Sequence, residues 1–196
     1  MYIVGFNGPP GSGKDTLAEA LARKIETVHN IPVKMESLSM PLRQVAYAMT
    51  GWQGQLDGPE YETFKQTHFE QFGVNGRQIM IDVSESFLKQ KYGIDVMARM
   101  LIARNRTFTG LLLVRDSGFQ IEVDPLLNWV GAANLYIARC HRPRCSFEGD
   151  SRELVYHTED SKLQSDFYNE STLFEWVHTE AGRLYGRLVN QAGWRF

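Results

Sequence analysis

A glycine-rich segment near the start of the chain constrains the fold more than any other feature. It reads Gly8-Pro9-Pro10-Gly11-Ser12-Gly13-Lys14-Asp15-Thr16, follows the short apolar run 2–6 and leads into a helical pattern over 14–29. A strand, a glycine loop and a helix with lysine in its first turn are typical of a phosphate-binding loop. Glycine lets the backbone curl so that N–H groups and the positive end of the helix dipole face a phosphate.

The residue after the lysine departs from the usual pattern of this motif. The motif has Ser or Thr directly after lysine, whereas here Asp15 stands there and Thr16 follows. The alternative is a glycine-rich turn that merely connects strand to helix. Three glycines, a lysine and a hydroxyl in register at this junction favour the phosphate site. We therefore expect phosphates to be bound by Gly8, Gly11, Ser12, Gly13, Lys14, Asp15 and Thr16.

Length and composition narrow the class of protein. The 196 residues suit one α/β domain, and the net charge of -2 argues against a strongly basic nucleic-acid coat, though not against a local basic groove. We see no apolar run near the roughly 18 residues of a membrane span, and therefore expect no membrane partner. Two cysteines make no secreted disulfide framework, and the chain starts directly in the first strand, so we expect a cytoplasmic protein.

Strand and helix patterns alternate along the chain. The sequence predicts strands at 2–6, 33–38, 110–116, 134–139 and 166–168, and helices at 14–29, 41–49, 59–71, 77–89, 95–106, 119–130 and 172–189. This alternation predicts an α/β fold with three layers, a parallel sheet between helices, in one domain over 1–196. Ligands of such sheets collect at the carboxyl ends of the strands. The loop 8–16, Asp116 and the segment from 139 all lie at such ends.

Two further features at these strand ends carry candidate chemistry. Asp116 follows four buried aliphatic residues, where a carboxylate can order Mg²⁺ or act as a base; an N-cap role remains the alternative. Four arginines follow the next strand: Arg139, Arg142, Arg144 and Arg152. The planar guanidinium suits the charge spread over a transferring phosphoryl group, so we interpret 140–160 as a lid. A solvated charged loop is the alternative.

We interpret the middle of the chain, about 40–108, as a helical region that binds the molecule to which a phosphoryl group is transferred, the acceptor. Arg43, Arg77 and Lys89 recur at helix starts, and we interpret them as ligands of an acceptor's phosphate, although each alone is a normal surface charge. Aromatic residues lie among them, of which some belong to the core and one or two could stack on a base. These are Tyr47, Trp52, Tyr61, Phe64, Phe69 and Phe72.

The glycine loop is similar to that of nucleoside monophosphate kinases, in which the hydroxyl commonly comes second after the lysine. Ser39-Met40-Pro41-Leu42-Arg43 resembles the F-A-D-P-L-K stretch of the bacteriophage deoxynucleoside monophosphate kinases, and 77–101 resembles their R-x-L-L-x-x-x-G-T-E-x-x-R-x-x-x-G-x-D region. Leu113-Val114-Arg115-Asp116 resembles their x-I-T-D strand, and Phe119 with Glu122 fits the R-F-x-x-E that follows. Arg142-Pro143 resembles the start of their lid, and 169–173 resembles their N-D-G-T-L turn near adenine.

The resemblance implies a P-loop NTPase fold and transfer of the γ-phosphoryl group of ATP, with Mg²⁺, to a deoxynucleoside monophosphate. It implies that Lys14 and the loop amides hold the β- and γ-phosphates and that Thr16 and Asp116 place Mg²⁺. Arg142 and Arg144 would close over the transferring group, Asn169 would lie near adenine, and Arg43, Arg77 and Lys89 would hold the acceptor phosphate. It also implies a phage-encoded protein acting in the host cytoplasm.

The acceptor side departs from the family pattern. Gly118 stands where an arginine is usual, Lys89 replaces an arginine, and Ser84-Glu85 replaces Gly-Thr. These departures leave open a kinase acting on a hydroxymethylpyrimidine in phage DNA, and a non-catalytic nucleotide-binding module is the alternative from another class. The preferred base and a homodimer are also left open by the sequence.

Overall fold

The computed structural model describes residues 1–170 and 174–196. Its strands are β1 Tyr2–Asn7, β2 Val33–Glu36, β3 His68–Phe69, β4 Val74–Asn75, β5 Leu111–Val114, β6 Leu135–His141 and β7 Gln164–Tyr168. Its helices are α1 Lys14–His29, α2 Met40–Thr50, α3 Gly58–Gln66, α4 Gly76–Asp82, α5 Gln90–Tyr92, α6 Val96–Asn105, α7 Val123–Val130 and α8 Phe174–Asn190. A π-helical segment, Val83–Lys89, joins α4 to α5.

Five strands form a parallel sheet in the order β2-β5-β1-β6-β7. The phosphate-loop strand β1 lies in the middle, between β5 and β6. Because both faces of a parallel sheet are covered by helices, its central strands are mostly apolar, and β5 is buried along its whole length. The predicted α/β architecture is confirmed, and the carboxyl ends of β1, β5 and β6 meet at one edge of the sheet.

The main core lies between this sheet and two long helices. α1 supplies Leu17, Leu21 and Ile25, and α8 supplies Leu184 and Leu188, all fully buried. The predicted first helix, 14–29, is confirmed with the same first and last residues. The predicted last helix, 172–189, corresponds to α8, and its first two predicted residues lie outside the described residues. Along the described chain, no helix combines the length and the apolar character needed to cross a membrane.

The chain divides into two compact units, one formed by Met1–Leu38 with Leu101–Phe196 and the other by Ser39–Met100. The second unit overlaps most of the predicted helical region 40–108. Its core is a cluster of rings, in which Tyr47, Phe64 and Phe69 are buried and Trp52 packs edge-on against Phe64 and Phe69. These four rings therefore stabilise the unit, and the expectation of base stacking remains for Tyr61 and the more exposed Phe72.

One helix prediction in this unit is wrong, and a second is confirmed in its position but not in its winding. The helix expected over 59–71 ends at Gln66, because Thr67 is extended and the antiparallel hairpin β3-β4 follows. The helix expected over 77–89 is longer and changes its winding: α4, the π-helical segment and α5 form one continuous run from Gly76 to Tyr92. The backbone at Gly93, with a φ of 98°, then ends this run.

Candidate functional site

The glycine loop has the backbone that a phosphate cradle needs. Gly8, Gly11 and Gly13 have φ angles of 147°, 78° and 94°, which L side chains rarely adopt. α1 starts at once with Lys14, and the first helical bond runs from Leu17 N–H to Gly13 O at 2.9 Å. The N–H groups of the first turn have no partner within the helix, so they can donate to an anion.

The loop is held closely by the strand and helix behind it. A Cβ on Gly8 would lie 2.4 Å from the Cys140 carbonyl oxygen at the end of β6. A Cβ on Gly13 would lie 2.9 Å from Asn169 Nδ2 and 3.1 Å from the Trp176 ring. Since Trp176 Nε1 also donates to Tyr168 O at 2.8 Å, α8 and the end of β7 support the loop from below.

Charge and unsatisfied hydrogen-bonding groups mark the inside of the loop as a ligand site. Lys14 is only 8% exposed, and its Nζ lies 3.7 Å from Asp15 Oδ2. Ser12 Oγ and Asn169 Oδ1 are buried without a hydrogen-bond partner in the described residues. Buried polar groups normally have partners, so these atoms fit a site completed by a polar ligand. Burial raises the pKa of the nearby Cys140 thiol to about 12, which leaves it neutral and unreactive.

The predicted lid arginines take different positions. Arg142 lies at the loop and donates from Nη1 to Gly11 O at 3.3 Å. Arg144 is exposed and has a left-handed φ of 66°. Arg152 pairs with Asp150 and packs on Gly118, where an added Cβ would lie 2.5 Å from Arg152 Cδ. The space beside Gly118 is therefore filled by an arginine from another part of the chain.

Arg139, the fourth arginine, belongs to an ion network in the sheet. It donates to Asp166 from Nε at 2.9 Å and from Nη2 at 2.7 Å, and its guanidinium lies 4.5 Å from the Tyr156 ring. His141 Nε2 lies 2.6 Å from the same carboxylate. Burial alone would raise the pKa of Asp166, but the hydrogen bonds and charges of Arg139 and His141 outweigh it, so the pKa is lowered. The network joins β6 to β7.

A cleft of about 260 Å³ lies beside the loop. His141 and Tyr168 stack within it at a centroid distance of 4.9 Å, and Asn169 holds the end of β7 to β6 by donating from its N–H to His141 O at 2.7 Å. Asn169 Nδ2 also approaches Ser12 O at 3.4 Å. The cleft is lined by Pro9, His141, Arg142, Pro143, Cys145, Tyr168 and Glu170. The sequence indicated Asn169 and Arg142 here, but not the stacked pair.

Asn7 is a structural residue that sequence reasoning missed. Its fully buried side chain donates to Ser117 O at 2.7 Å and to Glu153 O at 2.8 Å, and accepts from Val155 N–H at 3.1 Å. It thus fixes two loops at the carboxyl end of β1. Because Val155 and His157 are buried, the later part of the predicted lid 140–160 packs against the body of this unit. A buried Asn at a strand end was the only available signal.

Asp116 lies just past β5 and turns toward β2. Its carboxylate accepts from Ser37 Oγ at 2.5 Å and from Leu38 N–H at 2.7 Å. These bonds fix the carboxylate beside the carboxyl end of β5. Thr16 is half-buried on the first turn of α1. Its hydroxyl and the Asp116 carboxylate are oxygen ligands of the type that Mg²⁺ prefers.

A charged cluster that the sequence did not indicate joins β2 to α6. Glu36 is 8% exposed, with Lys34 Nζ at 2.9 Å and Arg104 Nη2 at 3.3 Å. Burial alone would raise the pKa of Glu36, but the hydrogen bonds and charges of Lys34 and Arg104 hold it below its usual value. Arg104 also donates to Ser37 O at 2.9 Å, so the cluster fixes the segment after β2 that contacts Asp116.

The three predicted acceptor ligands all belong to the second unit. Arg43 is 7% exposed, donates to Leu56 O at 2.9 Å, contacts Asp57 and lies over the Tyr61 ring at 4.0 Å. Lys89 Nζ lies 2.6 Å from Glu85 Oε1. Arg77 is exposed in the first turn of α4. Arg43 is thus built into the unit, whereas Arg77 is more accessible.

Comparison with known proteins gives a likeness in structure only. No protein-family model matches the chain. No curated protein matches it either. The APS kinase CysC of Mycobacterium tuberculosis, solved in complex with AMPPNP and APS, aligns over 95% of this chain and 96% of its own, at 16% identity and a TM-score of 0.51.

Two shikimate kinases align at lower scores. The enzyme of Acinetobacter baumannii, solved with shikimate, covers 97% of this chain and 94% of its own at 11% identity and a TM-score of 0.44. That of Bacteroides thetaiotaomicron covers 96% and 98% at 13% identity and a TM-score of 0.45. The comparison of folds therefore depends on the APS kinase. With the parallel sheet and the glycine loop after its central strand, that likeness shows that this chain has the α/β fold of the P-loop kinases.

Proposed function

We propose that this protein is a kinase that transfers the γ-phosphoryl group of ATP to a deoxynucleoside monophosphate. The observation that carries the proposal is the glycine loop, in which three left-handed glycines precede the buried Lys14 at the start of α1. The likeness to a kinase solved with AMPPNP supports ATP as the donor. The resemblance of 39–43 and 77–101 to deoxynucleotide kinases supports the acceptor.

On the donor side, each residue has a simple electrostatic role. The loop amides and Lys14 hold the β- and γ-phosphates, because their donors and charge surround the cradle. Arg142, already in contact with the Gly11 carbonyl, turns its guanidinium toward the charge that develops on the transferring group. Arg144 supports it from the exposed lid, and Asn169 lies on the adenine side. Mg²⁺, held by Thr16 and Asp116 directly or through water, would neutralise the β- and γ-phosphate oxygens when bound.

On the acceptor side, Arg43, Arg77 and Lys89 hold the phosphate of the monophosphate. A phosphate that must stay in place needs fixed cations, and the many contacts of Arg43 give it such a position. Arg77 and Lys89 lie on the helical run 76–92 of the same unit. Positioning and neutralisation of charge account for most of the catalysis in phosphoryl transfer.

The test is transfer of label from γ-labelled ATP to each of the four common deoxynucleoside monophosphates and to hydroxymethylated DNA. We expect labelled diphosphates, and we expect Lys14→Ala to reduce the rate by about 10²–10³-fold, as for loss of one preorganised donor. Lys24→Ala, on the same helix, is the matched control and should leave the rate unchanged. Label on DNA alone would refute the proposed acceptor. ATP binding without any transfer would identify a non-catalytic module, and full activity of Lys14→Ala would refute the role of the loop.

A further inference from the structure

The second unit contains an apolar groove that the proposed phosphate ligands do not explain. Its volume is about 510 Å³, within the range of roughly 300–1,000 Å³ that is typical of small-molecule sites. The lining side chains come from α2, the hairpin, α4 and the π-helical segment. They are Val45, Met49, Phe72, Val74, Ile79, Asp82, Val83 and Phe87.

The apolar side chains of the groove are unusually exposed for their size. Phe87 is 51% exposed, Met49 47%, Val45 41% and Phe72 39%. By contrast, the rings in the core of the same unit are nearly inaccessible: Phe64 is fully buried, and Tyr47 and Phe69 are less than a tenth exposed. Contiguous exposed apolar surface commonly marks a binding site.

The π-helical segment Val83–Lys89 brings Phe87 into line with the rest of the groove. In an α-helix, the eight positions from Ile79 to Phe87 would turn the side chain about 80° away from Ile79. The wider π turn rotates each residue by less, so this offset shrinks and Phe87 faces the groove with Ile79 and Val83. π-Helical turns are rare and often occur at functional sites.

The lining of the groove contains one carboxylate, that of Asp82, which can orient a bound ligand. Gln78 Nε2 donates to Asp82 Oδ1 at 2.8 Å, which orients the carboxylate at the groove's lining. An ionised carboxylate only accepts hydrogen bonds, so Asp82 favours a ligand with an N–H or NH₂ edge. A flat apolar ring with an amino group fits both features: the ring lies against Phe87 and Phe72, and the amino group donates to Asp82.

We propose that this groove binds the nucleobase of the phosphoryl acceptor and that Asp82 selects bases with an amino group. This inference rests on the proposed function, because it assigns the base of the same acceptor. It predicts that cytosine, adenine or guanine monophosphates are better acceptors than dTMP, because the single N–H of thymine lies between two keto oxygen atoms that repel the carboxylate, whereas an exocyclic amino group can donate to it without two such neighbours. The preference depends on Asp82, and the affinity for every acceptor depends on Phe87.

The test compares three variants of the full chain in the transfer assay. We expect Phe87→Ala to raise the KM for every acceptor about tenfold or more while the KM for ATP stays unchanged. We expect Asp82→Asn, which replaces an acceptor-only group by one that can also donate, to shift the ratio of dCMP to dTMP activity about tenfold toward dTMP. Ile81→Ala removes an exposed apolar side chain of the same helical run that does not line the groove, and should change neither value.

Direct binding separates this inference from the proposed function. Equilibrium dialysis with labelled deoxynucleoside monophosphates, in the presence of AMPPNP, is run on the same variants. Binding that Phe87→Ala weakens, without transfer in the wild type, would support the groove and refute the kinase proposal. Transfer with unchanged acceptor KM in Phe87→Ala would refute the groove alone, and absence of both binding and transfer would refute both. A dimer in sedimentation that Phe87→Ala dissociates would show that a second copy covers the groove, and would also refute it.

Discussion

Replacement of Gly8 by alanine tests the geometry of the loop most directly. The added Cβ would lie 2.4 Å from the Cys140 carbonyl oxygen and 2.8 Å from Ser12 Oγ. The carbonyl belongs to a buried strand paired on both sides, so it cannot move aside as the end of a flexible side chain can. The φ of 147° adds a backbone cost of about 1–3 kcal/mol.

The two costs can be added to an expected loss of stability. Overpacking of a tight site costs about 1–3 kcal/mol, so the total is about 2–6 kcal/mol. For a chain of this length each kcal/mol lowers the melting temperature by about 2–4 °C, which gives a decrease of about 12 °C at the middle of that range. Any relaxation would move the loop off its support and weaken ATP binding as well.

Two other glycines of the same unit separate these costs. Gly193 has a φ of 67° and no atom within 4 Å of an added Cβ, so Gly193→Ala should cost only the backbone term, about 1–2 kcal/mol. Gly182 lies within α8, also with open space around it, and Gly182→Ala should stabilise by about 0.5–1 kcal/mol. The measurements are thermal unfolding by circular dichroism and ATP binding by calorimetry. If Gly8→Ala costs no more than Gly193→Ala, the close approach to Cys140 is wrong.

Three further changes test other parts of the structure. Asn7→Ala would remove the side-chain partner of three backbone groups, two of them in buried bonds, and should cost about 3–6 kcal/mol in urea unfolding. The pKa of Asp166 is lower in the folded protein than in the unfolded chain. The contribution of this carboxylate to the free energy of unfolding is therefore fully present above its unfolded-state pKa and is lost as pH falls through its folded-state pKa. Asp166→Asn should therefore be less stable than the wild type at pH 7, and this difference should shrink as pH falls through the folded-state pKa of Asp166; a difference that does not change in acid would contradict the network. Phe64→Ala, in the ring cluster, should cost about 3–5 kcal/mol, seen as loss of protection from hydrogen exchange in 39–100 before the rest of the chain.

Local sequence predicted the elements whose cause is local. The first helix was bounded correctly because the glycine loop precedes it and Asn30, in the left-handed conformation, ends it. The alternation of apolar strands with helices sufficed for the parallel sheet. The predicted helix 59–71 was wrong because Thr67 turns the chain into a hairpin only when Phe69 can be buried among the other rings. The π-helical winding has no signal in the periodicity, since Val83 and Phe87 suit an α-helix as well.

The residues of the candidate site also fall into those that the sequence predicts and those that only the tertiary structure identifies. The residues of the loop could be named from the sequence, because one contiguous segment supplies the backbone, the lysine and the hydroxyl. The roles of the arginines could not, since each depends on a partner far along the chain: Arg139 bonds to Asp166, whereas Arg142 reaches the Gly11 carbonyl. From the sequence, the four arginines are equivalent cations. The tertiary structure shows that Arg139 and Arg152 form ion pairs within the protein, whereas Arg142 lies at the glycine loop.

The sequence by itself determined the buried strand, the glycine turn and the helix around Gly8 to Thr16, and it predicted a phosphate loop there, because backbone freedom, charge and periodicity are encoded within that segment. Only the tertiary structure decided what surrounds the loop. The contact of Gly8 with Cys140, the bonds of Asn7 to two distant loops and the groove beside Phe87 all join residues that are remote in sequence. Their energies come from packing and burial, which no short stretch of sequence specifies.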